Sequence, residues 1–100
     1  MDVLSQELEH YLIAYGKNEN LVSKKMKNYT EHLLHLQNYK DEMFMADVYG
    51  LYGHTRKSID QLAFENHTSP ENIASAIEFL LRRLSVTPEW QMMRSVINHK

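Results

Sequence analysis

Turn-forming residues are scarce in this chain, and that scarcity limits the folds it can adopt. Its hundred residues include only three glycines and two prolines, the two types that most strongly mark turns. A strand-rich fold needs more turns than these residues supply. Apolar side chains recur at three- and four-residue spacing in every periodic segment, which is the period of an α-helix. We therefore predict an all-α fold that forms one cooperative domain, because a chain of this length supplies one core.

Residues 1–48 are predicted to form a two-helix hairpin. The apolar positions of its first helix, which ends at Gly16, are Val3, Leu4, Leu8, Tyr11, Leu12 and Tyr15. The second is predicted as one long helix that ends near Tyr49. Its apolar positions alternate steps of four and three, broken only at Lys40; they are Val22, Met26, Tyr29, Leu33, Leu36 and Met43. This heptad seam either packs on the first helix within one chain or pairs two chains as a coiled-coil homodimer.

Residues 49–100 form the second predicted part of the domain, and their organisation differs. Residues 50–57 contain two glycines and several polar side chains, which indicates a connector. Ser58 and Gln61 then have the spacing of a capping box, in which the serine oxygen accepts from a first-turn amide and the glutamine reaches back. This pattern predicts a short helix that runs to about Glu65.

A longer helix is predicted after a turn at residues 66–68. Ser69-Pro70 supplies an N-cap followed by a proline in the first turn, where no amide donor is needed. The buried stripe of this helix is predicted to be Ile73, Ile77, Leu80, Leu81 and Leu84. Thr87-Pro88 repeats the capping pattern and opens a last short helix, which packs back on the body through Trp90, Met93 and Ile97.

Four short motifs occur in order between Tyr49 and Leu84. They are Tyr49-Gly50-Leu51, Ser58-Ile59-Asp60-Gln61-Leu62-Ala63, Thr68-Ser69-Pro70-Glu71-Asn72-Ile73 and Leu81-Arg82-Arg83-Leu84. These motifs resemble the promoter-reading region 4 of bacterial sigma factors and of sigma-like phage regulators, and the register from Ser58 to Leu84 holds without a gap. The resemblance implies a C-terminal helix-turn-helix. The layout of a long helix before a sigma-like end also resembles small regulatory proteins of Gram-positive phages.

The resemblance implies a transcription regulator whose second motif helix enters the DNA major groove. Asn72 and Ser75 would then hydrogen-bond base edges, with Ser69 at the start of the helix. The DNA backbone would be contacted on either side of the groove by Arg56, Lys57, Arg82 and Arg83.

A second function follows from a departure from the family. Sigma factors usually place arginines and a glutamine on the outward face of this helix, whereas the present chain has Pro70, Asn72, Ala74 and Ser75 there. The alternative is therefore a protein-binding sigma mimic that docks on RNA polymerase or on another regulator.

Two further clusters have a functional and a structural interpretation. Lys24, Lys25 and Lys27 either bind phosphate or acidic groups, or they keep an amphipathic helix soluble. His32 and His35 lie one turn apart and could ligate a metal ion with Glu31, but no third ligand is suitably placed, and we predict no metal site and no cofactor.

Composition excludes several other classes. The chain has no cysteine, which excludes disulfides and thiolate chemistry and fits a reducing compartment. A net charge of −2 argues against a large nonspecific nucleic-acid footprint, so any DNA contact must come from local basic patches. With neither a secretory signal nor a membrane-length apolar run, we expect a cytoplasmic protein. Since no catalytic motif is present, we do not expect an enzyme.

Overall fold

The computed structural model describes residues 1–98, in which every regular element is a helix and no strand occurs. Within it lie six α-helices: α1 (Val3–Lys17), α2 (Lys24–Leu34), α3 (Tyr39–Tyr49), α4 (Ile59–Glu65), α5 (Pro70–Ser85) and α6 (Pro88–Asn98). A 3-10 turn, Glu19–Leu21, lies between α1 and α2. The all-α prediction is confirmed, while residues 99 and 100 of the predicted second part lie outside the described range.

Side-chain caps begin all six helices of the described range, and the sequence predicts three of them. The oxygens of Asp2, Ser23, Asn38, Ser58 and Ser69 accept from the amides of Ser5, Met26, Asp41, Gln61 and Asn72, respectively. Thr87 caps α6 in the same way through the amide of Trp90. The starts predicted at Ser58, Ser69 and Thr87 are therefore confirmed. The second bond of a capping box, from the Ser58 backbone amide to the Gln61 side chain, is not formed. The Gln61 side-chain nitrogen donates to Glu65.

The prediction of one long second helix is wrong. The chain leaves the helix after Leu34 and restarts at Tyr39, so α2 and α3 are separate elements. Asn38 caps the new helix, and the acidic residues Asp41 and Glu42 in its first turn complement the positive end of its dipole. Leu36 lies in the break and is exposed, so the seam from residue 22 to residue 43 is not continuous.

The core joins the two halves of the chain. Helix α1 packs against α5 and α3, α4 packs against α5, and α2 packs against α6. Leu33, a member of the predicted seam, is fully buried within the single chain. The Tyr11 ring lies 6.0 Å from the Tyr15 ring and 5.8 Å from Trp90, centre to centre, which links α1 to α6. Packing within one chain therefore accounts for the apolar face of α2.

A buried carboxylate fixes the corner between α2 and α3. The Glu42 side chain accepts a hydrogen bond of 2.6 Å from the Tyr52 hydroxyl, and its second contact is His35 Nδ1 at 2.8 Å. Burial, reinforced by the bond to Glu42, raises the pKa of Tyr52, so its hydroxyl stays protonated and remains a donor. The turn, α3 and the connector are thereby tied together.

Gly16 allows α1 and α3 to approach closely. A Cβ atom built at this position would overlap the Tyr49 carbonyl oxygen and would lie 3.1 Å from its carbonyl carbon. Both atoms belong to backbone, which cannot rotate away as a flexible side chain would. The sequence predicts that the first helix ends at Gly16, but α1 continues to Lys17, and this glycine acts instead as a contact point between two helices.

We expect Gly16→Ala to lower the free energy of unfolding by about 1–3 kcal/mol, because the added methyl forces two packed helices apart. Helix propensity alone predicts the opposite sign, a gain of roughly 1 kcal/mol. Urea denaturation monitored by circular dichroism measures the difference. The control is Ala14→Gly, an exposed position on the same helix that reports propensity only. A stabilised Gly16→Ala protein would contradict the close approach.

Candidate nucleic-acid interface

The junction between α4 and α5 is built by a tight, internally bonded turn. The Asn66 side-chain amide donates to the Leu62 carbonyl oxygen at 2.8 Å, and the Thr68 amide donates to the Ala63 carbonyl oxygen at 3.0 Å. His67 has a φ of +53°, in the left-handed region that residues other than glycine seldom occupy. These bonds fix the direction in which α5 leaves the turn.

Helix α5 has one buried and one exposed face. The five residues of the predicted stripe are all buried: Ile73, Ile77, Leu80, Leu81 and Leu84. The exposed residues on the other side are Asn72, Ser75, Phe79, Arg82 and Arg83; Ser75 and Phe79 follow at steps of three and four residues, and both arginines lie one turn beyond Phe79. Four of the seven residues predicted to contact DNA thus share one helix face.

The start of this face is already organised by hydrogen bonds. The Ser69 hydroxyl accepts from the Asn72 amide at 3.1 Å, so Ser69 serves as the N-cap. The Asn72 side-chain nitrogen donates to the Thr68 hydroxyl at 2.8 Å. An amide nitrogen has two hydrogens, and the second one, together with the amide oxygen, could meet a base edge. Ser75 is exposed about one turn further along α5.

The two arginines at the end of the face have different surroundings. Arg82 Nε lies 3.4 Å from an oxygen of Asp2, the residue that caps α1. The Ser5 amide and, to a smaller degree, Arg82 lower the pKa of Asp2, so this carboxylate stays ionised. The Arg83 guanidinium stacks over the Phe79 ring, 5.6 Å from its centre. Arg83 is therefore held by an aromatic ring, whereas Arg82 is partly neutralised.

Arg56 and Lys57 lie on the connector, where they bind α3. Arg56 Nε donates to the Val48 carbonyl oxygen at 3.0 Å. The Lys57 ammonium lies 2.8 Å from Glu65 and 3.5 Å from Asp47. The hydrogen bond from Lys57 lowers the pKa of Glu65, and that bond raises the pKa of Lys57, so both stay charged. Neither residue lies on the exposed face of α5, and Lys57 is held between two carboxylates.

The remaining candidate clusters are dispersed. His32 Nε2 lies 3.8 Å from Glu89, while His35 Nδ1 contacts Glu42, so the two histidines face different carboxylates. Across residues 1–98, no three histidine, aspartate or glutamate side chains come together as metal ligands would. Of the three α2 lysines, Lys25 lies over the Tyr29 ring at 5.7 Å. Phosphate binding by these lysines stays a prediction.

A groove that the sequence did not predict lies beside the exposed face of α5. It lies between α3 and α5, with a volume of about 770 Å³, and we call it the α3–α5 groove. Its apolar lining consists of Tyr39, Met43, Phe44, Leu62, Ile73, Ala76, Phe79 and Leu80. One signal was available in the sequence: Phe79 falls outside the predicted buried stripe of α5.

Comparisons with protein-family models, curated proteins and solved structures find no match to this chain. None of the helices in the part of the chain that the structure describes has the length and apolar character needed to cross a bilayer.

Ser69 caps α5, whereas Ser75 is exposed on its surface, so substitutions at these two serines separate a capping effect from a surface effect. We expect Ser69→Ala to lower the free energy of unfolding by about 0.5–2 kcal/mol, because the first-turn amide of α5 loses its acceptor. Ser75→Ala should change it by less than about 0.5 kcal/mol, since the site is an exposed surface position. Thermal and urea unfolding of both variants measure these changes. Equal losses at the two serines would contradict the capping role of Ser69.

Proposed function

We propose that the protein is a transcription regulator that binds DNA through a helix-turn-helix formed by α4 and α5. The observation that carries the proposal is the exposed face of α5, on which Asn72 and Ser75 precede Arg82 and Arg83. Amide and hydroxyl groups near the start of a helix can read base edges, and guanidinium groups can bind phosphates. The sixteen residues of α5 span about 24 Å, enough to follow the major groove across several base pairs.

The ion pair at Arg82 does not prevent phosphate binding. The side chains of Arg82 and Asp2 are 64% and 44% exposed, and exposed pairs of this kind contribute only about 0–1 kcal/mol. A phosphate oxygen can therefore replace the carboxylate at little cost. Arg83 keeps all its donors available while it stacks on Phe79. The arginine pair is consequently the main phosphate anchor of the proposal.

Arg56 and Lys57, the two cations of the connector, have a smaller role in the proposed DNA binding. Lys57 would have to leave both Asp47 and Glu65 to reach a phosphate, and Arg56 would give up its bond to the α3 backbone. Exposed Glu71 adds a negative charge in the first turn of α5. With few free cations, the proposed complex has modest affinity and a shallow salt dependence.

The proposal predicts separable effects of phosphate-binding and base-reading residues. Replacing Arg82 and Arg83 together with alanine should weaken binding to every duplex and reduce the salt slope by roughly one unit per lost phosphate contact. Asn72→Ala should instead relax preference at one base position, at a cost of about 1–3 kcal/mol on the preferred site. Selection from a random duplex pool identifies that site, and fluorescence anisotropy across a salt series measures both effects.

The matched control replaces Lys24 and Lys25 with alanine. It removes the same charge from α2, away from the face of α5, and should leave the preferred sequence unchanged. The DNA proposal fails if the α2 lysine variant reduces the salt slope as much as the α5 arginine variant does, or if Asn72→Ala leaves the base preference unchanged. It also fails if no duplex is bound at low salt.

A second function is favoured by the carboxylate contacts of Lys57 and Arg82, which leave little positive charge around α5. In this alternative, the protein is a sigma mimic that docks on RNA polymerase or on another regulator. A face without strong charge loses little solvation when it is covered by protein.

Binding to purified bacterial RNA polymerase tests this alternative. Ser75→Glu should abolish the complex, because it places a charge in the middle of the docking face, whereas Ser95→Glu, at an exposed serine of α6, should not. Surface-immobilised polymerase provides the measurement. Tight polymerase binding that Ser75→Glu abolishes and Ser95→Glu does not, together with no gel shift of any DNA fragment, would favour the sigma mimic over the DNA-binding regulator. Absence of any polymerase complex would remove polymerase as the partner.

A further inference from the structure

A second cavity lies where the connector and α4 meet α1, α3 and α5, and we call it the connector cavity. Its volume is about 340 Å³, within the range of pockets that hold small molecules. Val48, Leu62 and Ile77 are buried and supply its apolar wall. Ile59 lines the same cavity and is 43% exposed. A small apolar group placed there would cover Ile59 and remove this apolar surface from water.

A carboxylate of fixed orientation lines the connector cavity. Tyr49 is buried, and its hydroxyl donates to Glu9 Oε2 at 2.8 Å. Both residues line the cavity. Because a carboxylate has two acceptor oxygens, the bond to Tyr49 leaves Oε1 of Glu9 to accept from a ligand.

A guanidinium lines the same cavity. Arg56 Nε donates to the Val48 carbonyl oxygen at 3.0 Å, which uses one of the five donors of the group. The two terminal nitrogens carry the other donors, and they can meet both oxygens of a carboxylate side by side.

The two charged groups act on one hydroxyl but do not pair with each other. Burial is the main cause that raises the pKa of Tyr49; Glu9 raises it further, and Arg56 lowers it. Within residues 1–98, neither Glu9 nor Arg56 belongs to an ion pair. Lys57, the remaining charged residue of the lining, is held by two carboxylates outside it. The cavity therefore presents one free positive and one free negative group.

We infer that the connector cavity binds a free α-amino acid with an apolar side chain. The carboxylate of the ligand meets Arg56, its ammonium group meets Glu9, and its side chain lies against the apolar wall. A purely anionic ligand would leave Glu9 unmatched, and a purely cationic one would leave Arg56 unmatched, so a zwitterion fits both charges. The site lies away from the exposed face of α5, and it does not require that DNA be bound.

The test uses L-leucine and three analogues, each of which lacks one of its three groups. The compound 4-methylpentanoate lacks the ammonium group, L-leucinamide lacks the carboxylate, and glycine lacks the apolar side chain. Isothermal titration calorimetry of the full chain gives the dissociation constants. We expect saturable binding of leucine and at least about tenfold weaker binding of every analogue.

Arg56→Gln tests the carboxylate contact. It should weaken leucine binding at least about tenfold and should abolish the preference for leucine over leucinamide, because the group that distinguishes these two ligands is gone. The matched control is Lys17→Gln, which removes the same charge from an exposed position of α1 outside the lining. It should change leucine binding less than about twofold. Circular dichroism verifies that both variants fold.

Glu9→Gln tests the ammonium contact and keeps a side-chain oxygen that can accept from Tyr49. It should abolish the preference for leucine over 4-methylpentanoate, while the preference for leucine over leucinamide remains. Glu71→Gln, at an exposed position of α5 outside the lining, should change neither preference. A general loss of structure cannot produce this pattern, because it would weaken all the ligands together.

Isoleucine methyl resonances locate the ligand independently of any substitution. Ile59 and Ile77 line the connector cavity, whereas Ile97 lies on α6 outside it. Selective ¹³C-methyl labelling should show the Ile59 and Ile77 signals shifting on titration with leucine while the Ile97 signal stays in place. A shift of Ile97 alone would put the ligand elsewhere and overturn the inference.

Three other outcomes would also overturn it. The first is no saturation up to about 1 mM leucine. The second is equal binding of leucine and either charge-deleted analogue, which would make the cavity a site for a simple carboxylate or a simple amine. The third is equal effects of Arg56→Gln and Lys17→Gln. All these titrations are done without DNA, so a failure of the proposed DNA binding does not affect them.

Discussion

The packing of α1 between α5 and α3 is the contact on which the other features of this protein depend. Because α1 and α4 both pack against the buried side of α5, only the opposite face of that helix, with Asn72 and Arg83, remains available to a ligand. The close approach at Gly16 sets the distance between α1 and α3. The two helices that border the groove therefore both pack against the first segment of the chain.

Electrostatics decides how this surface can be used. Most cations predicted to bind phosphate already have a structural contact: Lys57 holds two carboxylates, Arg56 holds an α3 carbonyl, and Arg82 meets Asp2. These contacts differ in how readily they exchange. A single exposed pair such as that of Arg82 exchanges cheaply, while a lysine between two carboxylates does not. The proposed DNA contact therefore concentrates at the end of α5, away from the connector.

Local signals in the sequence predicted local structure well. The caps at Ser58 and Ser69, the first-turn proline and the stripe of α5 all depend on residues within a few positions of each other, and all were found. The long second helix failed because the three-and-four spacing of apolar residues continues through a break that Asn38 introduces as a cap. An N-capping asparagine followed by acidic residues was the signal that could have divided it.

Tertiary features could not be predicted in the same way. No local pattern pairs α1 with α5, or places Asp47 beside Lys57, because these contacts join segments that are distant in sequence. The groove depends on that pairing as well, since its walls belong to different halves of the chain. Phe79 is an aromatic residue on the exposed side of its helix, but so is Phe64, which lies outside the groove, and the place of Tyr39 became recognisable only with the fold.

The DNA face and the groove cannot act independently if both are used. Asn72 and Phe79 line the groove, and they also belong to the exposed face of α5, where Phe79 supports the Arg83 guanidinium. A ligand that buries Phe79 would change the position of Arg83 and restrict the approach of a duplex. Linkage then requires reciprocity: if such a ligand weakens DNA binding, DNA weakens the binding of that ligand by the same factor. A small protein whose two binding surfaces share residues can couple two binding events without a second domain.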